Sequence, residues 1–214
     1  LTVAKKLAGL LDHVNLLFVP ILNVDGHEHV TARGRINQRG PENAGWRTNA
    51  RNLNVNRDYA KLDTPECRAV VDVLVRYDPE LYLDLHVTDG IDYQYDVTYG
   101  FVGPHGQSPA SATWLRDVLR PACDAALSAA GHVPGPLIFP ADDADPGKGL
   151  VDWTAPPRFS TSYGDARHTP TVLVENHSLK PYDQRVLGTY LFLESTLRAL
   201  GEDGSTLRRA IESD

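Results

Sequence analysis

Apolar and polar positions follow two different periods along this chain. Val3, Ala4, Leu7, Ala8, Leu10 and Leu11 recur at helical spacing. Asn15–Leu22 is instead a short, nearly continuous apolar run containing Phe18 and Val19, which predicts a buried strand. From Asn23 to Tyr59 the periodicity vanishes among Gly, Asn and Arg residues, which predicts long loops. Loops of this length in a compact domain commonly carry function. Thr64, Pro65 and Glu66 supply an N-cap, a first-position proline and a first-turn acid for a helix running to about Arg76. Glu80–His86 alternates: Leu81, Leu83 and Leu85 share one face, while Tyr82, Asp84 and His86 share the other. Val97–Val102 predicts a short strand, Pro109–Ala130 a helix and Thr171–Glu175 a second buried strand. Pro181–Leu200 predicts a last helix, followed by a polar tail from Gly201.

Strands that alternate with helices argue for an α/β domain with helices on both faces. In such folds ligands bind where loops leave the carboxyl ends of strands. Asn23–Gly26, His86–Gly90 and Glu175–His177 all lie just past an expected strand.

Composition narrows the classes. A chain of 214 residues fits one domain, spanning residues 1–214. Its 42% hydrophobic and 23% charged residues exclude a disordered or collagen-like chain. The net charge is −7 and no Lys/Arg stripe is visible, which argues against nucleic acid as a partner. The longest apolar run, Leu16–Leu22, is broken by Pro20 and falls far short of the ~20 residues of a membrane span. Two cysteines, Cys67 and Cys123, are too few for a disulfide framework and read as buried small apolar residues. The chain opens at Leu1, inside a helical pattern and without any Met, which leads us to expect a chain cut at its N-terminus.

Three places carry candidate chemistry. His86 closes an apolar strand, where an imidazole can ligate a metal, and Asp84 on the same face is placed to orient it. Glu175 closes the run Thr171–Val174, and a carboxylate there is costly unless paired or functional. Arg47, Arg51, Asn56 and Arg57 crowd one loop, where forked and directional donors suit an anion; pairing with Glu42 and Asp58 is the alternative. His27 and His29 do not have the i, i+4 spacing of a helical zinc pair.

Taken in order, Asn23-Val24-Asp25-Gly26, Arg47, Asn54-Val55-Asn56-Arg57-Asp58, His86 and Glu175 resemble the motifs of the zinc metallocarboxypeptidases, the carboxypeptidase A-like family. Arg47 stands nine residues before Asn56, as in that family's pattern. The resemblance covers about Leu1 to Leu200. It implies a mixed, mostly parallel sheet between helices and hydrolysis of the last peptide bond of a peptide, or a related amide beside a free carboxylate. It implies one zinc ion with His86 as third ligand, Glu175 as general base and Arg47 as the group that stabilises the oxyanion. Asn56 and Arg57 would hold the substrate's terminal carboxylate, and Tyr163 is the candidate for the family's mobile tyrosine.

The sequence also departs from the family. The opening zinc pair, His-x-x-Glu, is missing, since no His here has Glu three residues on. The expectation is that two further ligands lie upstream of Leu1, that the chain alone is inactive, and that it associates through uncovered surface. Two alternatives remain open: a zinc deacylase of the same broad fold acting on N-acyl amino acids, and a zinc-less peptide-binding relative.

Overall fold

The computed structural model describes residues 9–102, 108–152 and 154–214. The helix expected at Val3–Leu11 lies mostly outside these residues. In chain order the helices are α1 (Val24–Glu28), α2 (Pro65–Tyr77), α3 (Pro109–Trp114), α4 (Arg120–Ala129), α5 (Ser160–Asp165) and α6 (Tyr182–Glu212). The strands are β1 (Tyr82–Val87), β2 (Val97–Gly100), β3 (Pro134–Pro136), β4 (Phe139–Pro140), β5 (Leu150–Val151) and β6 (Thr171–Asn176). The main sheet has the order β1-β6-β2-β3. β1 with β6 and β2 with β3 run parallel, while β2 and β6 are antiparallel, so the sheet is mixed and mostly parallel.

α2 forms where its sequence announces it. The Thr64 side chain accepts from the Cys67 amide, and Asp78 closes the helix in the left-handed region. Its buried stripe of Cys67, Val70 and Val71 joins Val55 and Tyr59 in a small core, with Tyr82 packed against it. The larger core lies on the other face of the sheet. There Val97, Tyr99, Val172 and Val174 meet Trp114, Leu115, Leu119, Leu127, Phe192 and Leu207 from α3, α4, α6 and the turns that join them. Leu81 and Leu83 pack against this core while Tyr82 faces the small one, so the alternation of β1 divides the two. Both cysteines are buried and unpaired.

Between α3 and α4 the helical path widens over Leu115–Leu119 into a π-type segment. Pro121 follows in the first turn of α4. A proline ring crowds the carbonyl four residues earlier and offers no N–H, and the wider turn accommodates both.

Two expectations need correction. Asn15–Leu22 is not a strand: it makes no ladder, and Leu16, Leu17, Phe18 and Val19 are exposed, Phe18 by 63%. An apolar run becomes a buried strand only with a neighbour to pair with, and none lies beside it among the described residues. The polar tail from Gly201 is helical, because α6 continues to Glu212 through a kink at Asp203. Leu207 and Ala210 are buried there, which anchors the last turns. Trp114 donates from Nε1 to the Asp203 carbonyl (3.2 Å) and carboxylate (3.1 Å), which holds the kink. No helix among the described residues is long and apolar enough to cross a membrane.

Candidate functional site

A cleft of about 1110 Å³ opens at the carboxyl ends of β1 and β6. It is lined by Arg47, Asn56, Arg57, Asp84, His86 and Glu175, among others. Of the sequence candidates, Arg51 and Tyr163 lie outside this cavity; Arg51 donates to the Asp63 carbonyl (3.1 Å) instead. Tyr163, on α5, packs on Tyr59 (ring centroids 5.6 Å apart) and does not line the cleft.

The Asn23-Val24-Asp25-Gly26 run builds the wall that carries Arg47. The Asn23 side chain caps α1 by accepting from the Gly26 amide (3.0 Å) and donates to the Arg47 carbonyl (3.3 Å). Asp25 accepts from the Ala50 amide (3.0 Å), and the Trp46 amide donates to the Gly26 carbonyl (2.7 Å). A Cβ on Gly26 would strike the Trp46 carbonyl, so the close approach requires glycine. Arg47 then reaches Asp89 at 3.4 Å.

Asn56 sits in the 3₁₀ turn Val55–Arg57, which the Asn54 side chain caps. Its Oδ1 accepts from the Ser160 amide (3.2 Å), and its Nδ2 lies 3.3 Å from His86 Nε2. Arg57 folds back to donate to the Asn56 carbonyl (2.6 Å), and its guanidinium stacks 4.0 Å over the Phe159 ring. Burial, then the neighbouring Arg47 and Arg158, lower the Arg57 pKa from its ordinary value.

His86 donates from Nε2 to Asp84 Oδ2 at 2.7 Å, so a residue two positions away on one strand face does reach the ring. The Ser160 hydroxyl donates to the same carboxylate oxygen. Burial favours a neutral Asp84, but His86 and Ser160 outweigh it and hold its pKa below the ordinary range. At His86 burial works to lower the pKa; the Asp84 charge and hydrogen bond, aided by Glu175, outweigh it and raise it to about 9.

Glu175 is the Cα register partner of His86 in the parallel β1–β6 pair. One of its oxygens, Oε2, is buried without a hydrogen-bond partner. Burial pushes the Glu175 carboxyl up to about 7; His86 and Arg47 pull against this while Asp89 and Asp84 add to it.

A zinc site draws about three ligands from protein. His86 fits one such position, with its ring oriented by a carboxylate as metal-binding histidines commonly are. Among the described residues no group of three or more His, Cys, Asp or Glu side chains could hold a metal ion, so the set is incomplete. His27 and His29 are occupied elsewhere, with Glu28 at 2.8 Å and stacked on Trp46 respectively.

Sequence reading passed over Ser160, Asp89, Arg35, Phe159 and Arg185. Ser160, the first residue of α5 after a Pro-rich stretch, and Asp89, just past β1, have a local signal; Arg35, Phe159 and Arg185 reach the cleft through tertiary packing.

The sheet and the cleft at its carboxyl edge define an α/β protein with a carboxypeptidase fold. The zinc carboxypeptidase family profile matches residues 2–133, more than half of the chain, and the chain belongs to that family. No curated protein matches it. Among solved structures it is similar to a metallo-carboxypeptidase from Pseudomonas aeruginosa in complex with (2-guanidinoethylmercapto)succinic acid. That match has a TM-score of 0.52 at 19% identity, over 76% of this chain and 42% of that one. A metallo-carboxypeptidase from Burkholderia cenocepacia is similar at a TM-score of 0.50 and 17% identity, over 73% of this chain and 41% of that one. These likenesses are of fold, and this chain spans less than half the length of either structure.

Proposed function

We propose that this chain supplies the base, the charge-stabilising arginine, the carboxylate clamp and one metal ligand of a zinc carboxypeptidase-type site. Its target is the last peptide bond of a peptide, or a related amide beside a free carboxylate. The observation that carries this reading is Glu175, a half-orphaned buried carboxylate poised near neutrality beside His86 in an arginine-bearing cleft.

In this reading Glu175, a carboxylate beside His86 in the cleft, takes a proton from the attacking water. Arg47 offsets negative charge developing on the scissile oxygen. Asn56 and Arg57 hold the terminal carboxylate, the one feature that marks the last residue of every peptide, and a forked cation suits it. His86 is a zinc ligand whose ring Asp84 orients. Zinc, when bound, lowers the pKa of a water and polarises the carbonyl under attack. Tyr163, packed on Tyr59, is left without a role.

The incomplete ligand set favours a second reading for the isolated chain, that it binds peptide ends without cleaving them. A deacylase would share the same clamp, and a panel of N-acyl amino acids set against peptides separates the two.

Calorimetry with an N-acetyl dipeptide as its free acid and as its terminal amide tests the clamp. The free acid should bind tighter by about tenfold, given charge-assisted bonds of this kind. Arg57→Gln should abolish the difference. Equal binding of acid and amide to the unmodified chain would remove the clamp and the proposed function with it.

A further inference from the structure

Arg185 lies in the first turn of α6 and lines the cleft, yet only 9% of its surface is exposed. Its Nη2 donates to the carbonyls of Arg39 (3.0 Å) and Gly40 (3.5 Å). The Tyr182 ring sits 5.8 Å from the guanidinium carbon. Its Nε is buried with no hydrogen-bond partner, and no carboxylate among the described residues forms an ion pair with it. A guanidinium that has given up nine-tenths of its contact with water for two carbonyls and a ring is under-compensated.

The place of this cation matters as much as its state. Asn176, next to Glu175 at the end of β6, donates from Nδ2 to Thr189 Oγ1 (2.6 Å), which donates to the Arg185 carbonyl (3.0 Å). The strand end that carries the candidate base is therefore tied to the helical turn that carries the orphaned cation. Glu175 Oε2 and Asn176 Oδ1 are also buried without partners, so unsatisfied polar atoms collect along this one wall. A purely structural strut explains the contacts of Nη2. It does not explain the lack of a counter-charge on a cation that lines the cleft, which an anionic group of a bound ligand supplies.

We propose that Arg185 is a specificity-determining residue that takes a second carboxylate of the substrate, so that the cleft prefers peptide ends with Asp or Glu among the last two residues. The inference rests on the reading above, in which Asn56 and Arg57 already hold the terminal carboxylate. Arg35, which also lines the cleft, is the rival cation.

The test is calorimetric binding to the unmodified 214-residue chain of N-acetyl-Ala-Glu and N-acetyl-Glu-Ala. Each is compared with its Gln counterpart and with its terminal amide. At least one Glu peptide should bind about tenfold tighter than its Gln counterpart. Arg185→Gln should erase that preference while leaving the Gln peptides unchanged, and Arg185→Lys, which keeps a cation, should retain part of it. Equal binding of Glu and Gln peptides to the unmodified chain, a comparison that needs no variant to fold, overturns the inference and leaves the clamp standing. A preference that survives in Arg185→Gln and vanishes in Arg35→Gln also overturns it. Equal binding of free acids and amides, or no binding at all, removes the clamp reading and this inference together.

Discussion

His86 and Glu175 face each other as register partners across the parallel β1–β6 pair. Because parallel partners project to the same side of a sheet, the ladder itself sets an imidazole beside a carboxylate at one sheet edge. No loop is needed to bring them together, and the hydrophobic partners below them, Leu83 with Val172 and Leu85 with Val174, fix the register.

Glu175→Gln keeps size and most polarity but cannot accept a proton. In a polypeptide that completes the zinc ligand set, kcat should fall at least ~100-fold while zinc content and peptide binding persist. Unchanged kcat with a lowered melting temperature would make Glu175 a structural residue.

For the 214-residue chain, metal analysis after dialysis against zinc should give well below one zinc per chain, because His86 is a single ligand. His86→Ala should leave that low value unchanged. One tightly held zinc per chain would contradict the donor count and turn attention to His27 and His29.

Asp58 makes the acid branch of stability specific. It is buried and accepts from the Thr64 amide (2.7 Å), the Thr64 hydroxyl (2.6 Å) and the Asp63 amide (3.1 Å), and Lys61 lies 3.2 Å away. Burial raises its pKa, but these donors outweigh it and lower it to about 2. The folded value lies below the unfolded one, so the stabilisation is present above about pH 4 and is lost as pH falls through about 2. Its size is about 2 kcal/mol. Urea titrations between pH 2 and 5 should show that drop in the unmodified chain and much less of it in Asp58→Asn. Parallel curves would exclude Asp58 as its source.

Leu16, Leu17, Phe18 and Val19 form an exposed apolar run, and no strand among the described residues pairs with the outer edge of β1. Such surfaces promote association. Light scattering should find the chain as a dimer or larger, and the pair Phe18→Asp with Val19→Lys should shift it toward monomer. A monodisperse monomer of the unmodified chain would count against this.

Local chemistry was legible where it acted locally. Thr64-Pro65-Glu66 wrote the start of α2, and the alternation of Leu81–His86 wrote a strand with one apolar and one chemical face. Arg47, Asn56, His86 and Glu175, which the resemblance in motif order singles out, line a single cleft. What depended on neighbours was not legible. Asn15–Leu22 has a strand's composition without a partner to pair with. The segment after Gly201 looks polar, yet Leu207 and Ala210 find the core from one face of a helix. Arg185 carries no local sequence signal, and its contacts with residues 39–40 come from tertiary packing.

Asn56 joins three segments far apart in the chain: its own 3₁₀ turn, the end of β1 at His86 and the start of α5 at Ser160. None of these contacts belongs to the large core; the apolar neighbours they order, Val55 and Phe159, lie outside it. In the proposed reading, ligand competence is then expected to be separable from global folding. A local opening that frees Ser160 would dissolve the proposed clamp while Val172–Val174 stay protected, and in native-state hydrogen exchange the Ser160 amide should exchange well ahead of those of β6.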